Sequence, residues 1–146
     1  MKKHARIISA GAVVYRDTPR GRVYLLLRNK KGHWDFPKGK TEPGETRTAT
    51  IRRETVEECG IRELNFHPFF LKICRWSYHK DGTPVRKTAA FRLARTNETR
   101  LRLSVEHSHG VWLPAREALK LLDFPNQRNL LRTADRILGR RNRVRR

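Results

Sequence analysis

Apolar residues along the chain follow two rhythms, and the changes between them outline the elements. Residues 7–16 (IISAGAVVYR) and 22–28 (RVYLLLR) are short apolar runs, each of strand length, with Gly21 marking a turn between them. Residues 29–41 read as a loop, punctuated by Gly32, Pro37 and Gly39. The rhythm then changes. No Pro or Gly interrupts residues 47–59, Thr46 is placed to cap a helix there, and Gly60 is placed to stop it. Residues 64–78 return to aromatic and β-branched composition and predict one or two strands. Asp81-Gly82 is a hairpin signal that leads into a partner strand over 85–94. A short strand at 111–113 precedes a helix with Pro114 in its first turn. The last helix, about 126–138, places Leu130, Leu131, Ala134, Ile137 and Leu138 on one face before Gly139. Strands interspersed with two or three helices predict an α/β or α+β fold.

Length and composition narrow this picture. A chain of 146 residues and 17.2 kDa has room for a single domain, and 37% hydrophobic residues suffice for one core. No apolar run approaches the ~18 residues that span a bilayer, so no membrane partner is expected. The opening MKKHARIISAGAVV lacks a long apolar stretch and a small-residue cleavage site, which predicts no secretory signal and a cytoplasmic location. Cys59 and Cys74 are too few for a disulfide framework and read as reduced core thiols.

Charge adds a second theme. Thirty-four basic residues against fourteen acidic ones give a net charge of +20. Such a field attracts polyanions, whether RNA, DNA, a ribosome or a small polyphosphate. An arginine-rich habitat or a solubility effect would produce the same excess. Residues 139–146 form a basic tail in which five of the last seven residues are arginine.

The few acids are not spread evenly. Glu42, Glu45, Glu54, Glu57 and Glu58 crowd into seventeen residues. On the expected helix, Glu54, Glu57 and Glu58 stand at i, i+3 and i+4 and share one face. That face is either a solvated acidic surface or a cradle for a cation, and hard oxygen ligands suit Mg²⁺ or Mn²⁺.

The flanking residues extend the pattern. GKTEPGETRTATIRRETVEECGI, read from Gly39, resembles the Nudix box, G-x5-E-x7-R-E-U-x-E-E-x-G-U with U an apolar residue. Gly39, Glu45, Arg53, Glu54, Glu57, Glu58, Gly60 and Ile61 are all in register, while Thr55 stands where the pattern has an aliphatic residue. The resemblance implies a Nudix-type α/β/α sandwich with a mixed central sheet, spanning residues 5–138 as a single domain. It further implies that Glu54, Glu57 and Glu58, with Gly39, hold divalent metal ions, and that Arg53 and Glu45 form an ion pair that orients the acidic face. The implied reaction is attack of water on phosphorus in a nucleoside diphosphate linked to another group.

Residues outside the box point to one branch of that family. His33-Trp34-Asp35-Phe36-Pro37-Lys38-Gly39 resembles the W-x-x-P-K-G run of the asymmetrical diadenosine tetraphosphate hydrolases. Trp76-Ser77-Tyr78, Lys87-Thr88, Ser104-Val105-Glu106-His107 and Val111-Trp112 follow in the order of that branch. By this resemblance Lys38 and Lys87 bind phosphate, Tyr78 and Phe91 stack on adenine, and Glu106 is an extra metal ligand or the general base. Aromatic residues on strands also read as core, and Phe91 stands where relatives tend to carry Tyr. The expected function is cleavage of diadenosine tetraphosphate to ATP and AMP. The alternatives are removal of pyrophosphate from RNA 5′ ends, or an RNA- or ribosome-associated binding module anchored by the basic tail.

Overall fold

The computed structural model describes residues 5–139, so the arginine tail beyond Gly139 lies outside the described residues. Strand β1 (Ala5–Thr18) is the central element because it has neighbours on both edges. It pairs antiparallel with β2 (Gly21–Asn29) across the Gly21 turn. On its other side it runs parallel to β6 (Thr83–Arg95), which makes the sheet mixed. Strand β5 (Asn65–Lys80) joins β6 through Asp81-Gly82, whose φ values of 52° and 77° are the positive pair that a tight right-twisted hairpin requires. Strand β7 (His107–Leu113) pairs with the far edge of β2.

Two short strands were not anticipated. Within residues 29–41, read from sequence as a loop, β3 (Trp34–Asp35) pairs with β2 and β4 (Lys38–Lys40) pairs with β1. Two or three residues cannot display an alternating pattern; the partner strands impose the conformation. The expected strand at 111–113 is likewise longer and begins at His107.

Helices cover both faces, so the architecture is the expected α/β/α sandwich in one domain. Alternation along β1 sends Val13 to one side and Ala10, Ala12 and Val14 to the other. On the first side Val13, Tyr24, Leu26 and Leu93 pack against α2 (Ala115–Leu121) and α3 (Pro125–Leu138) through Ala118, Leu130, Leu131 and Ala134. Ile137, expected on the same buried face, is 45% exposed at the edge of the contact. On the second side the small residues of β1 let α1 (Arg47–Cys59) approach closely, and Ile51, Cys59, Ile61 and Leu64 close that core. Helix α1 has the caps expected of it: Thr46 Oγ1 accepts from the Ala49 amide at 3.1 Å, and Gly60 takes φ 84°. Cys59 is buried and Cys74 half-buried, both as free thiols. No helix of the described residues is long and apolar enough to cross a membrane.

Thr55, the one departure from the box pattern, is fully buried, and its hydroxyl has no hydrogen-bond partner among the described residues. Removing an unsatisfied buried hydroxyl without changing shape stabilises by about 1 kcal/mol. Thr55→Val is therefore expected to raise Tm by about 3–5 °C for a domain of this size. A thermal melt followed by circular dichroism checks this, and a lowered Tm would mean that the hydroxyl is satisfied after all.

Candidate active site

The site is built where β4 crosses β1. The Ala12 amide donates to the Pro37 carbonyl at 3.1 Å, and the Thr41 amide donates to the Ile8 carbonyl at 2.9 Å. Gly11 makes this crossing possible, since a Cβ there would lie 2.5 Å from both the Pro37 carbonyl oxygen and the Lys38 Cβ. The crossing fixes two neighbouring residues with opposite tasks. Gly39 faces α1, where any side chain would overlap the Glu54 carboxyl group. Lys38 turns to the other face, its ammonium 3.0 Å from the Asp35 carboxylate.

Arg53 ties this loop to the acidic helix. Its Nε and Nη2 donate to the two Glu45 carboxylate oxygens at 2.7 and 3.0 Å, a bidentate pair. Its Nη1 donates to Glu54 at 2.8 Å and Glu57 at 3.2 Å, and Nη2 also donates to the Lys40 carbonyl at 2.8 Å. Glu45 further accepts from the Glu42 amide and the Thr50 hydroxyl. Arg53 first, with those donors in support, holds the Glu45 carboxyl down at about 2.

Glu58 differs from its neighbours. It is 8% exposed, and its carboxylate accepts from the Lys38 amide at 3.2 Å. Burial, reinforced by the charge of Glu54, pushes its carboxyl up to about 8. A buried carboxylate beside a second carboxylate is an arrangement that a divalent cation would stabilise, and all the donors are hard oxygens suited to Mg²⁺ or Mn²⁺. In their present rotamers no three acidic, His or Cys groups among the described residues surround one point; Glu54 and Glu57 instead share the Nη1 of Arg53. The donor set thus fits a cation in kind, with Glu54, Glu57 and Glu58 as its holders and the Gly39 backbone beside them.

On the opposite side of β4 lies a cavity of about 300 Å³ that gathers all four residues expected to bind substrate, Lys38, Tyr78, Lys87 and Phe91. Tyr78 is 43% exposed and stands at the mouth. Phe91 is 2% exposed and contributes from the core, with its ring edge toward Phe36 at 6.1 Å. Burial and the nearby Lys38 both lower the proton affinity of Lys87. Lys38 experiences burial too, but Asp35 more than restores its charge.

Glu106 does not line this cavity; it is exposed in the turn before β7, with its amide donating to the Ser104 hydroxyl at 3.3 Å. That turn is nonetheless fastened to the end of α1, because the Ser104 amide donates to the Glu58 carbonyl at 3.0 Å. The next residue, His107, is affected by burial and by the charges of Glu106, Lys38 and Asp35, which places the turn within the field of the site.

Several lining residues were not singled out from sequence. Asp35 had a signal, since it stands i−3 to Lys38. Trp76 had another: Cys74, Trp76 and Tyr78 alternate along β5 and all line the cavity. Phe124, Asn126 and Gln127 had none, because the α3 end reaches the cavity only through tertiary packing.

Comparison with known proteins agrees with this geometry. Residues 5–134 match the family model described as NUDIX domain. An asymmetrical bis(5'-nucleosyl)-tetraphosphatase of Caenorhabditis elegans is 33% identical over 131 residues, which cover 85% of this chain and 91% of that protein. The Sus scrofa protein of the same name is 36% identical over 121 residues, covering 79% and 80%. Among solved structures, a binary complex of the C. elegans Ap4A hydrolase superposes with a TM-score of 0.76 at 28% identity, covering 91% of this chain and 98% of that one. The E. coli dihydroneopterin triphosphate pyrophosphohydrolase, at 22% identity and a TM-score of 0.71, shares the fold.

Gly39→Ala tests the close approach at the crossing. The added methyl meets the far end of the Glu54 side chain, which can swing away, so the fold should survive while the carboxylate moves. The expected outcome is an unchanged Tm with kcat lowered by roughly 10²-fold, the scale of an ångström-sized misplacement. Equal turnover in the two proteins would mean that the Glu54 position is not critical.

Proposed function

The chain belongs to the Nudix family and is a pyrophosphohydrolase of nucleotide derivatives; from that premise we propose that its substrate is diadenosine tetraphosphate, hydrolysed to ATP and AMP with Mg²⁺ or Mn²⁺. The proposal assigns this activity to residues 5–138 and leaves residues 139–146 as a separate basic tail.

One observation carries the substrate assignment. Lys38 and Lys87 stand together in a half-open cavity whose Tyr78 and Trp76 offer aromatic surface, on the opposite side of β4 from the glutamate helix. Two neighbouring ammonium groups repel each other unless an anion lies against them, and Asp35 pairs with only one of them, Lys38, at 3.0 Å. A polyphosphate chain supplies several negative charges, and a purine matches the aromatic wall, where stacking contributes ~1–3 kcal/mol.

The chain's own groups then divide the work. Lys38 and Lys87 neutralise and orient the polyphosphate, and Tyr78 stacks on one adenine while Phe91, too buried to offer a ring face, only closes the cavity from the core. Arg53, anchored by Glu45, keeps Glu54 and Glu57 in place. A divalent ion held by Glu54, Glu57 and Glu58 would supply Lewis acidity toward the phosphoryl oxygens. Glu106, the carboxylate outside that ligand set, takes up the proton of the attacking water. The balance is one water consumed and one P–O bond broken, with no covalent enzyme intermediate. The net charge of +20 favours RNA 5′ ends as the second substrate reading.

Turnover of diadenosine tetraphosphate, 5′-triphosphorylated RNA and diphosphoinositol phosphates with Mg²⁺ tests these assignments. The dinucleotide is expected to have the highest kcat/KM and to yield ATP and AMP in equal amounts. Two ADP, or a higher kcat/KM on RNA, would overturn the proposal. Glu57→Gln and Glu58→Gln should each lower kcat by about 10²–10⁴ with the fold intact. Tyr78→Ala should mainly raise KM, because stacking holds ground and transition states alike.

A further inference from the structure

Helix α1 covers only part of its face of the sheet. Along β1 the residues on that side run from fully buried Ala12 and Ala10 to Ile8, which is 61% exposed, and then to exposed Arg6. Two cross-strand rows therefore lie beyond the helix. One row is Arg6–Arg86–Ser77 across β1, β6 and β5, and the next is Ile8–Thr88–Arg75. Arg47, the first residue of α1, overhangs them, and together these residues line a groove of about 600 Å³.

The charge in this groove is uncompensated. Arg6, Arg47, Arg75 and Arg86 form no ion pair with a carboxylate among the described residues. Arg6 and Arg86 are direct cross-strand partners, and like charges in that position are destabilising. An anion lying between them would relieve that cost.

We propose that Arg6, Arg47, Arg75 and Arg86 form a binding groove for the phosphodiester backbone of a single-stranded nucleic acid. Guanidinium forks match phosphate oxygens two at a time. Same-face residues recur about every 7 Å along a strand and strands lie about 4.8 Å apart, so the rows present cations as a repeating ladder rather than one point charge. Exposed Ile8 supplies an apolar contact for a base, which a single strand presents and a duplex keeps stacked inside. The groove shares Trp76 and Lys87 with the nucleotide cavity, yet the four arginines lie outside that cavity. The inference therefore stands or falls independently of the dinucleotide substrate.

Fluorescence anisotropy of labelled oligouridylate and oligothymidylate against the full chain, over a series of salt concentrations, tests it. In Arg75→Gln/Arg86→Gln the slope of log K on log salt should become shallower by roughly 1.4, about 0.7 for each phosphate contact removed, with affinity lost several-fold. Arg6→Gln/Arg47→Gln should repeat the effect with different residues. Arg116→Gln/Arg132→Gln removes the same charge from α2 and α3 and should leave the slope close to that of the parent. A parental slope in both groove variants would overturn the proposal. So would an equal loss in the α2/α3 variant, which would mean net charge alone. Equally tight binding of polyglutamate would point to an acidic protein partner instead. Tighter binding of one of the two oligonucleotides identifies the strand as RNA or DNA.

Discussion

The guanidinium of Arg53 is the joint between two parts of the chain that would otherwise not be held in register. It reaches the Lys40 carbonyl and both oxygens of Glu45 on the loop side, and Glu54 and Glu57 on the helix side. A lysine could not replace it, because a single ammonium point cannot satisfy a bidentate carboxylate and three other acceptors in fixed directions. The same contacts explain how the helix tolerates its own crowding. Glu54 and Glu57 repel each other and Glu58, and one cation placed between loop and helix offsets that repulsion without covering the carboxylates. Exposure differs accordingly: Glu58 is buried, whereas the Glu57 side chain is 56% exposed and held by Arg53.

Close backbone approach is the second constraint, and it falls on β1. Ala10, Gly11 and Ala12 are too small to hold the layers apart, so β4 can lie on one edge while α1 packs on one face. Gly11 admits the Pro37–Lys38 backbone and Gly39 admits the Glu54 carboxyl group. These glycines are required by proximity, not by a left-handed backbone. A larger residue at Gly11 would push the Pro37–Lys38 segment off β1, and one at Gly39 would displace the Glu54 carboxyl group.

What the sequence made legible follows from the range of the interactions involved. The bounds of α1, its caps and the i, i+3, i+4 glutamates are local features, and all are found as read. The Asp81-Gly82 hairpin is local too. Residues 29–41 were misread as pure loop because β3 and β4 exist only through pairing with β2 and β1. The cavity was half legible. Lys38, Tyr78, Lys87 and Phe91 were reached through motif resemblance, whereas Asn126 and Gln127 enter from a helix more than thirty residues beyond Phe91 in the chain. Thr55 appeared as a mismatch in a pattern, and only its burial shows that the hydroxyl is stranded.

The division of the site between two sides of β4 has a consequence for specificity. Every residue proposed to hold the cation comes from a continuous stretch between Gly39 and Glu58, so the cation cradle is coded in one short segment and only the proposed base, Glu106, lies outside it. The residues that face the substrate cavity come instead from β3, β4, β5, β6 and α3, segments spread along the chain that meet only in the folded sheet. A change at Tyr78 or Asn126 can therefore alter what is held without disturbing Arg53 and its partners. A change at Lys38 cannot, because its ammonium lines the cavity while its charge also acts on Glu58, whose carboxylate accepts from the amide of the same residue. Lys38 is thus the residue through which substrate charge and the glutamate helix are mechanically coupled, and Asp35, which holds that ammonium, sets its direction.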